Sequence, residues 1–301
     1  MRIPLNPVMA SLLAAFLPTL PAAALAAERG QVVNTGSPGG RTTNVNANDA
    51  ITYDGAGAAI EVAQPGNLVQ GSGLRITAGS ALRGNTMGVR AQLGGAVVLF
   101  AGAITTRGAG YGAHALAVFD DLTPPAYGSG IALYGGTVQT QGGSSHGAFA
   151  QGGGRISMWD ASVTTTGVNA AGLWAEGLRT SNGIRTVIAA TNTTISTQSS
   201  NAPGVYATAG GEAILTGGSI TTAYNSPGVS ANGDGSRIVL NNTQVHAADG
   251  MAARLAGGKL EVNGGSLTGA SAVLLDAPTL PTTRTPAFAS IRNATLTATD
   301  T

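Results

Sequence analysis

The chain has no cysteine, which excludes disulfide frameworks, thiolate metal sites and cysteine nucleophiles together. Charge is scarce as well. Asp, Glu, Lys and Arg make up 10% of the residues, where roughly 25% is usual. The net charge is +1 and the basic residues are spread along the chain, so nothing favours a nucleic acid or an anionic membrane surface as partner. Beyond the first 27 residues there is no apolar run long enough to cross a bilayer as a helix, and no stretch calls for a helix of any kind. Aromatic residues amount to only 4%, so the positions where they fall carry information.

What the chain has in excess is glycine, 46 of 301 residues, about twice the ordinary share. It punctuates a degenerate unit of roughly 22 to 34 residues that recurs between Gly95 and Thr299. Each copy opens with an apolar, any, apolar triplet: Val97/Leu99, Ile131/Leu133, Ile156/Met158, Ile188/Ala190, Ala213/Leu215, Ile238/Leu240 and Leu260/Val262. Five residues on stands an aliphatic anchor, usually followed by Thr or Ser: Ile104, Val138, Val163, Ile195, Ile220, Val245 and Leu267. A third piece follows a glycine, as in Gly147-Ala148-Phe149-Ala150, Gly172-Leu173-Trp174-Ala175, Gly204-Val205-Tyr206-Ala207, Gly228-Val229-Ser230-Ala231 and Gly250-Met251-Ala252-Ala253. Alternation of this kind sends every second side chain inward. One coil cannot bury its own stripe and must stack on the next. Three pieces per turn predict an all-β fold, a right-handed parallel β-helix with three faces, in which glycine supplies the positive φ of tight corners.

Before the repeats, Arg2 precedes an apolar stretch from Val8 to Leu20, and Ala24-Leu25-Ala26 fits the small, any, small cleavage rule. Residues 1–26 therefore read as a cleavable secretory signal peptide. Residues 27–54 are rich in Gly, Asn and Thr and are expected as an irregular N-terminal coil or cap, with the β-helix over 55–301. In the coil from Ile60 to Ala91 the pattern slips by one residue, with Leu74/Ile76 as triplet and Leu82 as anchor. Three insertions, Leu116 to Tyr127, Gly177 to Gly183 and Asp276 to Pro286, are expected as loops leaving the corners; two of them carry prolines, which cannot donate to a ladder.

Aligning the copies on their anchors puts chemically distinctive residues in columns. Phe100, Tyr134 and Trp159 fall on successive coils; so do His114, Phe149, Trp174 and Tyr206. Both columns point outward in the alternation, and strands about 4.8 Å apart let rings stack. Two readings stand side by side: stacks that stiffen the surface, or an aromatic platform for sugar rings or a protein partner. The candidate binding residues are Phe100, Tyr134, Trp159, Phe149, Trp174 and Tyr206. A charged column holds Arg155, Glu212, Arg237 and Lys259, with Glu212 and Arg237 expected to pair on a solvated surface.

Catalytic constellations are poor. Glycan-cleaving β-helices need carboxylates close together on one face, whereas Glu61, Asp160, Glu176, Glu212 and Glu261 fall in different columns or on distant coils. Asp120-Asp121 is the pair left for an enzymatic alternative, and neighbours on a strand point oppositely. His114, His146 and His246 occupy three different columns and are expected at the surface, with no metal site and no cofactor. Gly233-Asp234-Gly235-Ser236 is expected as a tight turn, although it superficially looks like a serine-nucleophile motif.

A signal peptide, a cysteine-free body and coils such as GGTVQTQGGSSHGAFAQGGG and GGSITTAYNSPGVSANGDGS together resemble the pertactin-like passenger domain of bacterial type V autotransporters, over about residues 55–299. The resemblance implies export, display at the cell surface or outer membrane, and adhesion, immune interaction or self-association with a surface protein or glycan. It also implies a C-terminal outer-membrane β-barrel, whose apolar alternating strands do not occur before Thr301. The expectation is a truncated passenger, periplasmic or secreted unless another protein supplies the barrel; a fragment without function is the remaining alternative. The integrin-type Arg-Gly-Asp of some members has only Arg83-Gly84-Asn85 in its place.

Overall fold

The computed structural model describes residues 28–36, 40–80, 85–116, 128–177, 185–276 and 286–299. The signal peptide, Leu82, Asp120 and Asp121, and most of the three insertions lie outside the described residues. Among the described residues there is no helix, and every strand pairing is parallel. One coil shows the plan. Arg155–Trp159 forms the first face, Ser162–Thr165 the second and Leu173–Glu176 the third. Each strand pairs in register with its counterparts one coil away. The third face is a sheet of ten strands, and the first two faces join into a second sheet. They join because Arg237–Ala247 and Lys259–Gly269 run around the corner as single strands. The chain is a three-faced parallel β-solenoid.

The repeat predicts the register. The anchors form one unbroken column, Ile104 to Val138, Val163, Ile195, Ile220, Val245 and Leu267. All of them are buried, as are the triplet residues. The anchor column also runs upstream through Ile76 to Ile51. Ile76 is therefore the anchor of its coil rather than a member of a slipped triplet. That coil's triplet positions are Val69 and Gly71, opposite Val97 and Leu99. A Cβ on Gly71 would sit 2.6 Å from Leu74 Cδ1, so Leu74 occupies the space Gly71 leaves. At the other end the Gly250 copy shifts by two residues: Ala253 and Leu255, not Met251 and Ala253, stand opposite Val229 and Ala231. Residues 28–54, expected as an irregular coil or cap, carry four short strands already paired with the following coil.

Corners are set by conformation in one place and by space in another. Between the first and second faces every coil places at least one residue in the left-handed region, Asn48, Gly73, Ala101, Gly135, Asp160, Asn192, Gly217, Asn242, Gly264 and Asn293, and three coils add a second, Gly136, Gly218 and Gly265. Gly, Asn and Asp tolerate that region best. The glycines that open the third face do a different job, since they have no positive φ. A Cβ on Gly172 would fall 2.4 Å from Ile195 Cγ2 and 2.6 Å from the Gly204 carbonyl oxygen. Gly112, Gly147, Gly204 and Gly228 meet the equivalent anchor methyl at 2.2–2.3 Å. The anchor fills the volume that a side chain there would need.

Thr and Ser do not lie only on the outside. Two residues after the anchor, Thr106, Thr140, Thr165, Thr197 and Thr222 are buried in one inward column. Thr165 Oγ1 donates to the Ala170 carbonyl at 2.7 Å, and Thr197 does the same to Ala202 at 2.6 Å. A buried hydroxyl needs such a partner. These bonds tie each second face to the loop that leads into the third.

Candidate functional site

Both aromatic columns exist as stacks. On the first face Phe100, Tyr134 and Trp159 are Cα partners on three consecutive coils. Their centroids are 4.9 and 4.5 Å apart and their planes differ by 12° and 5°. On the third face His114, Phe149, Trp174 and Tyr206 are likewise in register, with centroid spacings of 5.2, 4.9 and 5.4 Å, but only the His114–Phe149 pair is parallel, at 6°, and the other two are tilted by 42° and 39°. The spacing of strands in a sheet imposes the spacing of rings, and offset stacking makes it favourable.

The stacking changes what these surfaces offer. Parallel rings spend their faces on one another, so a ladder shows solvent a row of edges. A sugar cannot stack on Tyr134, whose two faces are taken. Trp159 differs, because the residue opposite it on the next coil is Thr191. The third-face ladder ends in the same way where Tyr206 stands opposite Ser230. Trp159 and Tyr206 are both partly exposed.

The third-face stack also has a second layer that the columns alone do not reveal. Tyr111 and His146, each three residues before a ladder ring, fold over it. Tyr111 stacks on His146 at 5.2 Å and 16°, and meets Phe149 edge-on at 4.9 Å. His146 meets Trp174 edge-on at 4.5 Å. Phe149 is buried beneath them, so the expectation of Phe149 as an exposed contact residue is corrected. The sequence signal was an aromatic, Gly, Ala, aromatic unit that occurs twice, at 111–114 and 146–149. The expectation of surface histidines is corrected for two of the three: His114 is 6% and His146 3% exposed, while His246 is exposed. They lie in different columns, as expected, yet converge because the layer bends back onto the ladder.

Burial sets their chemistry. His146 Nδ1 accepts the Ala171 amide at 3.0 Å, which requires a neutral ring there. Loss of water, then the charge of His114, lowers the His146 pKa to about 3. Loss of water, then the Arg90 guanidinium, lowers that of His114 to about 4. Neither ring nitrogen of His114 has a hydrogen-bond partner. Burial first, then the Glu176 carboxylate, raises the Tyr111 phenol pKa, and burial also raises that of Tyr134.

The charged column forms as expected, with Arg155, Glu212, Arg237 and Lys259 in line across the first face and Val187 between the first two, but the expectation of a solvated pair is corrected, since Glu212 is buried. Arg237 pairs with Glu212 and also reaches Glu261 by two bonds, Nε to Oε1 at 3.0 Å and Nη2 to Oε2 at 2.8 Å. That bond to Glu261 is the main reason the Arg237 pKa rises, and it lowers that of Glu261. Both carboxylates are thus held by one guanidinium. In the Gly233–Ser236 turn Ser236 is fully buried; its hydroxyl donates to the Asn232 carbonyl at 2.7 Å and accepts the Gly210 amide at 3.1 Å. It is a turn residue, as expected. Among the described residues no group of three or more His, Asp or Glu could hold a metal ion. No protein-family model, curated protein or solved structure matches the chain.

Proposed function

We propose that this chain is an exported, noncatalytic β-helix of the pertactin-like autotransporter passenger type, working as an adhesin or interaction scaffold at a cell surface. The observation that supports this reading is a rigid, charge-poor solenoid bearing a stack of three parallel rings on its first face and, on its third face, an in-register column that leaves Trp174 and Tyr206 partly exposed. Main-chain ladders and buried anchors provide the rigidity; the ends of the stacks and the corner loops provide the contacts. A rigid site loses little entropy when it binds. The partner is a surface protein or glycan of a host or a neighbouring bacterium, and display requires a β-barrel in the same protein or another one.

The test is adhesion of the purified, fluorescently labelled chain to epithelial cells and to bacteria. Replacing Phe100, Tyr134 and Trp159 together with Thr leaves the inward residues untouched. This variant should keep the strand signature in circular dichroism and lose most of its adhesion. Adding Trp174 and Tyr206, the partly exposed rings of the third face, to the replacement should remove the rest, with the buried Phe149 left in place. Full adhesion by a folded variant lacking all five of these rings would discard the scaffold reading.

A further inference from the structure

We infer that the end of the first-face ladder is a glycan-binding site, in which a neutral pyranose stacks on the outer face of Trp159, above Thr191. The inference rests on the scaffold reading and specifies its ligand. It starts from the step in the column. Trp159 has Tyr134 against one face and only Thr191 opposite the other. A threonine side chain is much shorter than an indole, so the outer ring overhangs it. The C–H groups of a pyranose carry partial positive charge and suit the negative face of an aromatic ring.

Polar groups stand beside that face where a sugar's hydroxyls would be. Asp160 and Asn192 are the next residues on the two coils, both exposed and both in the left-handed corner conformation. Their side chains are joined by an Asn192 Nδ2 to Asp160 Oδ1 bond of 3.2 Å. One carboxylate and one amide next to an aromatic face are the few polar groups that fix a ligand's orientation. The carboxylate also disfavours acidic sugars, which makes the ligand neutral. Beyond Thr191 the same column presents Thr216, Asn241 and Asn263, with Asn263 Nδ2 donating to Asn241 Oδ1 at 3.0 Å. These hydroxyls and amides recur at about 4.8 Å, once per coil.

The chain has two tryptophans, which lets each be read separately by fluorescence. In a Trp174→Phe background, cellohexaose, maltohexaose and N-acetylchitohexaose are titrated while Trp159 emission is followed. At least one should shift that emission saturably. The Trp159→Thr variant should bind that hexasaccharide at least tenfold more weakly by calorimetry, and Asp160→Ala with Asn192→Ala should weaken it severalfold. In a Trp159→Phe background, Trp174 should not respond. No saturable response from any of the three, or equal binding by Trp159→Thr, overturns the glycan site. If the triple Thr variant still loses cell adhesion in that case, the scaffold reading survives with a different ligand; if adhesion is also unchanged, both fall.

Discussion

At His114 the solenoid holds a basic ring away from water with neither nitrogen bonded. An unpaired buried polar group costs about 1–3 kcal/mol, and stacking on Phe149 at 6° offsets part of it. The folded pKa values of His114 and His146 are about 4 and about 3, both below the unfolded value near 6.5. The unfolded chain therefore takes up protons first as pH falls. Stability is complete above about pH 6.5 and declines as pH drops toward 4 for His114 and toward 3 for His146, by about 1.4 kcal/mol per pH unit for each proton of difference. Melting temperature measured from pH 7 to pH 3 should fall steeply over that window. The His114→Phe variant, which keeps the stack and removes one titrating group, should fall less and be at least as stable at pH 7. Parallel curves for the two proteins would show that His114 does not titrate in this way. Nothing in the alternation of a single strand announces this burial, because His114 points outward and is covered from the preceding turn by Tyr111.

Within a strand, sequence and structure agree most closely where the rule is simple. The anchors from Ile104 to Leu267, the triplets beside them and the opposing aromatic residues were legible, since period two and a fixed offset determine them, whereas the Ile76 coil and the Gly250 copy were read out of register. What resisted reading were positions decided by neighbouring coils. The conserved-looking glycine before Leu173 is one: its absent side chain is explained by Ile195 one coil away, not by its own backbone. Leu74 filling the space of Gly71 is another. The buried threonines are a third, because a hydroxyl two residues past an anchor looks like surface until its loop carbonyl is placed. The glycine column gives a direct test. Gly172→Ala forces a methyl to 2.4 Å from Ile195 Cγ2, and overpacking of that kind costs about 1–3 kcal/mol. Chemical denaturation should show that loss, and Gly172→Ala combined with Ile195→Ala should cost less than the sum of the two single changes. Strict additivity would mean that the two positions do not compete for space.

Taken as one molecule, the solenoid is a row of coils that each touch mainly their neighbours, so its stability is a sum of local terms. The terms are unequal. In the last described coil Phe288 and Leu296 are about half exposed, at 55% and 47%, whereas the anchors between Ile104 and Leu267 are buried. Hydrogen exchange should therefore be graded. Amides of Phe288–Arg292 and Thr295–Ala298 should exchange orders of magnitude faster than those of Arg155–Trp159 and Thr194–Thr197. Uniform exchange along the chain would instead indicate one cooperative unit.

The corner between the first and second faces opens with a left-handed residue on every coil from Asn48 to Asn293. Each coil thus leaves that bend in the same direction as the one before it, whatever its side chains. A gene encoding such a chain can gain or lose a whole coil by duplication or deletion and leave the remaining bends intact. Overall length, roughly 4.8 Å per coil, is then a quantity that evolution can adjust in whole steps while the faces of the remaining coils keep their shape.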